Sequence, residues 1–171
     1  MKTLVIHPKD KTTDFLSVIY KETDWTIVSE NFSKSKLKKL IREHDRIIMM
    51  GHGTEFGLIG YGYNYLIDSK WIYILRDKLC YCIWCNANVF VDKYELKGFY
   101  TGMIISEIEE AYMYGVNFKE SDEITFSNEL FADSLKNAID SENILLEMRH
   151  NYTTETNPII EFNKHNLYFN S

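Results

Sequence analysis

Two side chains able to share covalent chemistry sit at matching places in this chain. His52 lies just past one apolar run, and Cys85 lies just past another. A free thiol is mostly protonated at neutral pH, since its ordinary value is about 8.5. A neighbouring imidazole takes that proton or stabilises the thiolate as imidazolium, which is what a thiol nucleophile requires. His52 is flanked by Gly51 and Gly53. Glycines let backbone N–H groups come close to a substrate carbonyl, so the N–H groups of Gly53 and Cys85 are candidate oxyanion donors.

The other cysteines frame this reading. Cys80, Cys82 and Cys85 form an odd, tight cluster, and residues 1–8 carry no secretion signal. That pattern is not a disulfide framework. Cys82 and Cys85 have C-x-x-C spacing, which raises a redox pair or half of a zinc site. A redox motif opens a helix, however, and Cys82 falls inside a strand-like run. No second C-x-x-C or C-x-x-H is present. No metal and no cofactor are therefore expected, and Cys80 and Cys82 read as structural.

The elements that must position the pair alternate. Residues 2–7 read as a strand, 13–20 as a helix and 25–28 as a second strand. Ser33 reads as the N-cap of a helix carrying Leu37, Leu40 and Ile41, with lysines on its wet face. A third strand, 46–50, is apolar from Ile47 to Met50, as expected when helices cover both sheet faces. Residues 51–65 hold five of the eight glycines among Phe56, Tyr61, Tyr63 and Tyr65, and read as a loop or short hairpin. Asp68 or Ser69 caps a helix running to Leu75. A fourth strand spans 79–84, and a partly helical stretch spans 86–97, ended by Gly98. A fifth strand covers 99–105, and Ser106 caps a helix rich in Glu107, Glu109 and Glu110. The chain is mostly helical from Ser121, with Phe126, Leu130, Phe131 and Leu135 on one face. Ile159, Ile160 and Phe162 suggest an edge strand.

Such alternation predicts an α/β fold, a three-layer α/β/α sandwich around a doubly wound, mainly parallel sheet. One domain is expected over 1–171, with a core over about 1–115 and a helical part over about 120–171. In these sheets the cleft lies beyond the carboxyl ends of the strands. His52 and Cys85 both leave that edge. If their strands are neighbours, about 4.8 Å apart, the two side chains face one cleft.

Several other residues border that edge. Glu107 follows the fifth strand and suits a basic peptide side chain or a ribose hydroxyl, or simply starts a helix. Tyr61 and Tyr63 form either a cleft wall or an aromatic-packed hairpin. Asn86 and Asn88 cap the next helix or touch a ligand. His7 ends the first strand and reads as core or edge, while His44, His150 and His165 read as surface residues.

The net charge is −6 and the pI about 5.4, which argues against general nucleic-acid binding. No apolar run approaches the roughly 18 residues that cross a bilayer, so no membrane association and a cytoplasmic location are expected. The glycine-rich run fits neither the P-loop pattern nor G-x-G-x-x-G.

An apolar strand ending in His-Gly, followed by one ending in Cys, resembles the caspase-like cysteine peptidases: caspases, metacaspases, legumains, clostripains and gingipains. The matching stretches are Ile47-Ile48-Met49-Met50-Gly51-His52-Gly53 and Tyr81-Cys82-Ile83-Trp84-Cys85, within about residues 1–115. The resemblance implies a caspase-like fold and cleavage of a peptide bond in a peptide or protein substrate. It makes His52 the general base or acid, Cys85 the nucleophile and Gly53 an oxyanion donor. The chain departs from the family in its bulky Trp84 before Cys85, its short His–Cys spacing and its lack of Gln-Ala-Cys-Arg-Gly.

A second class stays open from the sequence: a non-catalytic module holding a nucleotide or other small anion in the same cleft. A third is an inactive scaffold that pairs with a partner, and strand-edge pairing would make a homodimer.

Overall fold

The computed structural model describes residues 1–30 and 32–171. In chain order its strands are β1 (Thr3–Ile6), β2 (Thr26–Val28), β3 (Arg46–Met50), β4 (Gly53–Thr54), β5 (Gly57–Ile59), β6 (Tyr65–Ile67), β7 (Leu79–Ile83), β8 (Gly98–Thr101) and β9 (Leu167–Asn170). The helices are α1 (Lys34–Glu43), α2 (Ile72–Leu75), α3 (Ala87–Tyr94), α4 (Ile108–Met113), α5 (Asp122–Ala138), α6 (Ile144–Asn151) and α7 (Pro158–Lys164).

Six strands form one mixed, mostly parallel sheet in the order β2-β1-β3-β7-β8-β9, and only β9 runs antiparallel to its neighbour. Each central strand is apolar on both faces because both faces are covered. Leu4, Ile6, Ile47, Met49, Cys80 and Cys82 pack toward α1, α2 and α3. Val5, Ile48, Met50, Tyr81 and Ile83 pack toward the 3-10 helix Asp14–Ile19 and toward α5, α6 and α7. Burying one such aliphatic side chain is worth about 1.5–3 kcal/mol, so this alternation fixes which face each residue takes.

The feature that matters for function is the neighbourhood of β3 and β7. They pair in parallel from Arg46–Leu79 to Met50–Ile83, and Gly51 N–H continues the ladder to the Ile83 carbonyl. His52 and Cys85 each follow their paired terminal residue by two positions.

Several elements differ from the sequence expectation. Within residues 13–20, Asp14–Ile19 form a 3-10 helix rather than a regular helix. The glycine-rich run is a small three-stranded antiparallel sheet, β4-β5-β6, standing at the carboxyl edge of the main sheet. Gly98 does not end α3; Glu95 does, in left-handed conformation with φ 54°. Gly98 opens β8 instead, with φ +127°, and a Cβ there would lie 2.1 Å from the Cys80 carbonyl oxygen. The fifth strand stops at Thr101. The cap of α4 is Glu107, one residue beyond Ser106.

Ile159, Ile160 and Phe162 lie in α7, not in an edge strand. Asn157 starts that helix by accepting hydrogen bonds from the N–H groups of Ile159 and Ile160, with Pro158 in the first turn. The edge strand is β9, a few residues later. Phe126 is half exposed, whereas Phe131 and Leu135 on the same helix are buried. The helical stretch is thus the second covering layer of the same sheet, and its last strand joins that sheet. Among the described residues no helix is long and apolar enough to cross a membrane.

Candidate active site

The loop after β1 places an unforeseen pair beside His52. Asp10 Oδ1 accepts hydrogen bonds from both the N–H (2.9 Å) and the hydroxyl (2.7 Å) of Thr12. These contacts, with the imidazole nearby as a smaller influence, hold the Asp10 carboxyl below its ordinary range. Thr12 Oγ1 in turn lies 2.6 Å from His52 Nε2, and Asp10 Oδ1 lies 3.9 Å from the same nitrogen. The Thr12 hydroxyl proton is committed to the carboxylate, so its oxygen must accept from an Nε2–H. That network assigns the proton of the neutral ring to Nε2 and leaves Nδ1 as its basic nitrogen. His52 keeps 38% of its side chain exposed.

Cys85 stands across the β3–β7 boundary, partly buried. Its Sγ lies 3.5 Å from the Ile104 carbonyl oxygen and 3.9 Å from Glu110 Oε1. Burial, and after it the negative charge of Glu110, push the thiol up to about 12. His52 and Cys85 line one small cavity of about 40 Å³, together with Gly51, Trp84, Ile104 and Ser106. His52 also borders an open cleft of about 550 Å³, walled by Asp10, Thr12, Gly53, Tyr61, Tyr63 and Glu107. The imidazole therefore stands between a narrow thiol chamber and a wide groove. No protein-family model matches this chain, and no curated protein matches its sequence.

Gly53 serves two ends. A Cβ there would lie 2.2 Å from Trp84 Cδ1 and 2.7 Å from the Gly57 carbonyl oxygen, so only glycine fits beneath the indole. Ile59 N–H donates to the His52 carbonyl (2.8 Å), which makes Gly53–Leu58 a non-hydrogen-bonded pair. The Gly53 N–H therefore stays outside the β4–β5 ladder. Trp84 points to the α3 side of the sheet, packing edge-on against Phe90, while Cys85 opens to the other side. A bulky residue before the cysteine is accommodated because successive residues face opposite ways.

The remaining sequence candidates divide. Glu107 lines the open cleft with His52, and its carboxyl is pushed up by burial and by Glu110 while His52 pulls it down. Tyr63, 94% exposed, also lines the cleft. The Tyr61 hydroxyl donates to the Ser29 carbonyl and accepts from Lys9 N–H, tying the small sheet to the loops after β1 and β2. Asn86 borders neither cavity. It caps α3 by position in left-handed conformation (φ 63°), and its N–H donates to the Gly102 carbonyl. Cys80 and Cys82 are buried on the α3 side, and none of the three cysteines is in a disulfide. Among the described residues no group of His, Cys, Asp and Glu is arranged to hold a metal ion.

His7, at the end of β1, is buried between Tyr20 and Thr13, with Nδ1 2.9 Å from the Tyr20 hydroxyl and Nε2 3.1 Å from Thr13 Oγ1. Burial lowers it from 6.5 to about 4, against the opposing pull of Asp14 and Asp10. Above pH 6.5 the imidazole is neutral in both folded and unfolded chains, and its contribution is whole. As pH falls, the unfolded chain takes up the proton first, and stability drains away until about pH 4. The loss is about 3 kcal/mol. Urea midpoints of the wild type are expected to drop across that window, and those of H7Q to drop less. Parallel curves for the two proteins would show that His7 does not carry the effect.

Proposed function

We propose that this protein is a caspase-like cysteine hydrolase that cleaves a peptide bond, with Cys85 as nucleophile and His52 as general base and acid. The observation that carries the reading is the in-register pairing of β3 and β7, which delivers both side chains to one cavity at the carboxyl edge. The layered, mostly parallel sheet supports reading the fold as caspase-like as well.

In this mechanism Cys85 starts as a neutral thiol. His52 Nδ1 takes its proton as Sγ attacks the substrate carbonyl carbon. The imidazolium charge is met by Asp10 through Thr12, and the tetrahedral oxyanion by the Gly53 N–H. His52 then returns the proton to the leaving amine, and a thioester on Cys85 remains. A water molecule, deprotonated by His52, attacks that thioester and releases the carboxylic acid and the thiol. Such a site needs an open groove for an extended peptide, and the cleft beside His52 supplies one. The anion-binding alternative is the weaker one, because Asp10 and Glu107 offset Lys9 in the walls of that cleft and leave no excess of positive charge for a phosphate.

The test is a panel of peptidyl chloromethyl ketones varied at the residue before the reactive carbon, read by peptide-mapping mass spectrometry. At least one probe is expected to modify Cys85 and leave the buried Cys80 and Cys82 untouched. Denaturing the protein first should abolish that selectivity. Equal labelling of all three cysteines, or labelling of Cys85 that H52A leaves unchanged, would remove the basis for a dyad.

A further inference from the structure

Among the described residues, Glu110 is the charged side chain within 4 Å of the Cys85 sulfur, and its position is fixed from several directions. Its Oε2 accepts from Ser106 N–H (2.7 Å), Ser106 Oγ (3.2 Å) and Glu107 N–H (3.1 Å). This is the reaching-back arm of a capping box at the start of α4. Capping alone needs only one oxygen. The other, Oε1, is left 3.9 Å from Cys85 Sγ, and the Ile104 carbonyl oxygen lies 3.5 Å from the same sulfur.

We infer that Glu110 is a positioning residue of the Cys85 centre, a fixed carboxylate that keeps the proton on sulfur until His52 removes it. Its catalytic consequence rests on the hydrolase reading, but its effect on the thiol does not. An unpaired thiolate in a partly exposed cleft is open to oxidation and to stray alkylation. A carboxylate held against it makes the sulfur inert at rest, so that only a substrate seated beside His52 draws out the nucleophile. The groups facing Cys85 are few. Glu110 and the more distant Glu107 come from the start of α4, and His52 from the loop after β3. The cavity wall on the α5 and α7 side contributes neutral Asn128 and Asn163.

The experiment is the pH profile of Cys85 alkylation by iodoacetamide in wild type and in E110Q. The glutamine keeps an oxygen for the capping N–H groups and removes the charge. The profile of E110Q is expected to move to lower pH. Each tenfold gain in thiolate fraction is partly offset by lower nucleophilicity, leaving a net rise of about threefold in rate. We expect E110Q to label at least about threefold faster than wild type at pH 8, with an unchanged melting temperature. Superimposed profiles at equal stability would overturn the inference. If E110Q does not fold, the wild-type infrared S–H band, isolated by subtracting C85A, decides instead. The band should persist to pH 9, and its absence at pH 8 would overturn the proposal. Failure of the hydrolase reading looks different: H52A would leave peptide turnover unchanged whatever E110Q does.

Discussion

H52A is expected to slow Cys85-dependent peptide hydrolysis by about 10²- to 10⁴-fold, the usual worth of a positioned general base. The size of this effect follows from the state of the thiol. With Cys85 held up to about 12, the thiolate fraction at pH 7 is about 10⁻⁵. The proton therefore has to leave during attack, and His52 is the titratable base that lines the same cavity as Cys85. The Asp10–Thr12 anchor predicts a graded companion result. T12V leaves the imidazole in place but deprives Nε2–H of its acceptor, so its loss should be smaller than that of H52A. Steady-state rates with a fluorogenic peptide, taken alongside melting temperatures, make the comparison. Retention by H52A of more than about a tenth of the wild-type rate would sink the assignment of His52 as base.

What the sequence made legible here was set by local pattern, and what it hid depended on pairing. The apolar run Ile47–Met50 and the run ending at Trp84 announce buried strands through composition alone. The residues just past them are then fixed by counting, so His52 and Cys85 could be named without a structure. Whether those strands touch is a property of strand order, which no local window contains. The same reasoning explains the missed Asp10 and Thr12. An Asp followed two residues later by Thr is an ordinary turn signal, and its meaning appears only because β1 lies beside β3.

Gly98 departs from its sequence pattern for a related reason. A glycine after a helical stretch usually ends it, but this one is required by the close approach of the Cys80 carbonyl across β7 and β8. Glu110 shows a third kind of gap. The acidic start of α4 is visible as sequence, yet one carboxylate oxygen serves the cap while the other faces sulfur. Nothing in the spacing separates those two roles.

Trp84 is where stability and site meet, and W84A is expected to cost about 3–5 kcal/mol, the range for deleting a buried aromatic. The indole is 2% exposed, packs against Phe90 at 5.7 Å between centroids, and lies over Gly53. Its Nε1–H donates to the Thr54 carbonyl (3.0 Å), so it fastens the start of the small sheet to the end of β7. Alanine would leave a cavity on the α3 side and free that carbonyl. W84F is the milder change, because it keeps an aromatic ring in the core and gives up the hydrogen bond and part of the indole's volume, a loss of about 1–3 kcal/mol.

Urea unfolding followed by circular dichroism reads both variants, with the midpoint falling more in W84A. The same pillar holds the backbone of His52 and Gly53 in register with Cys85, so W84A should also lose hydrolysis under conditions where it is still folded, while W84F keeps most of it. A W84A protein destabilised by less than about 1 kcal/mol would mean that the hairpin is held by its other contacts. The tryptophan would then be a passenger in the strand rather than the reason Gly53 must be glycine.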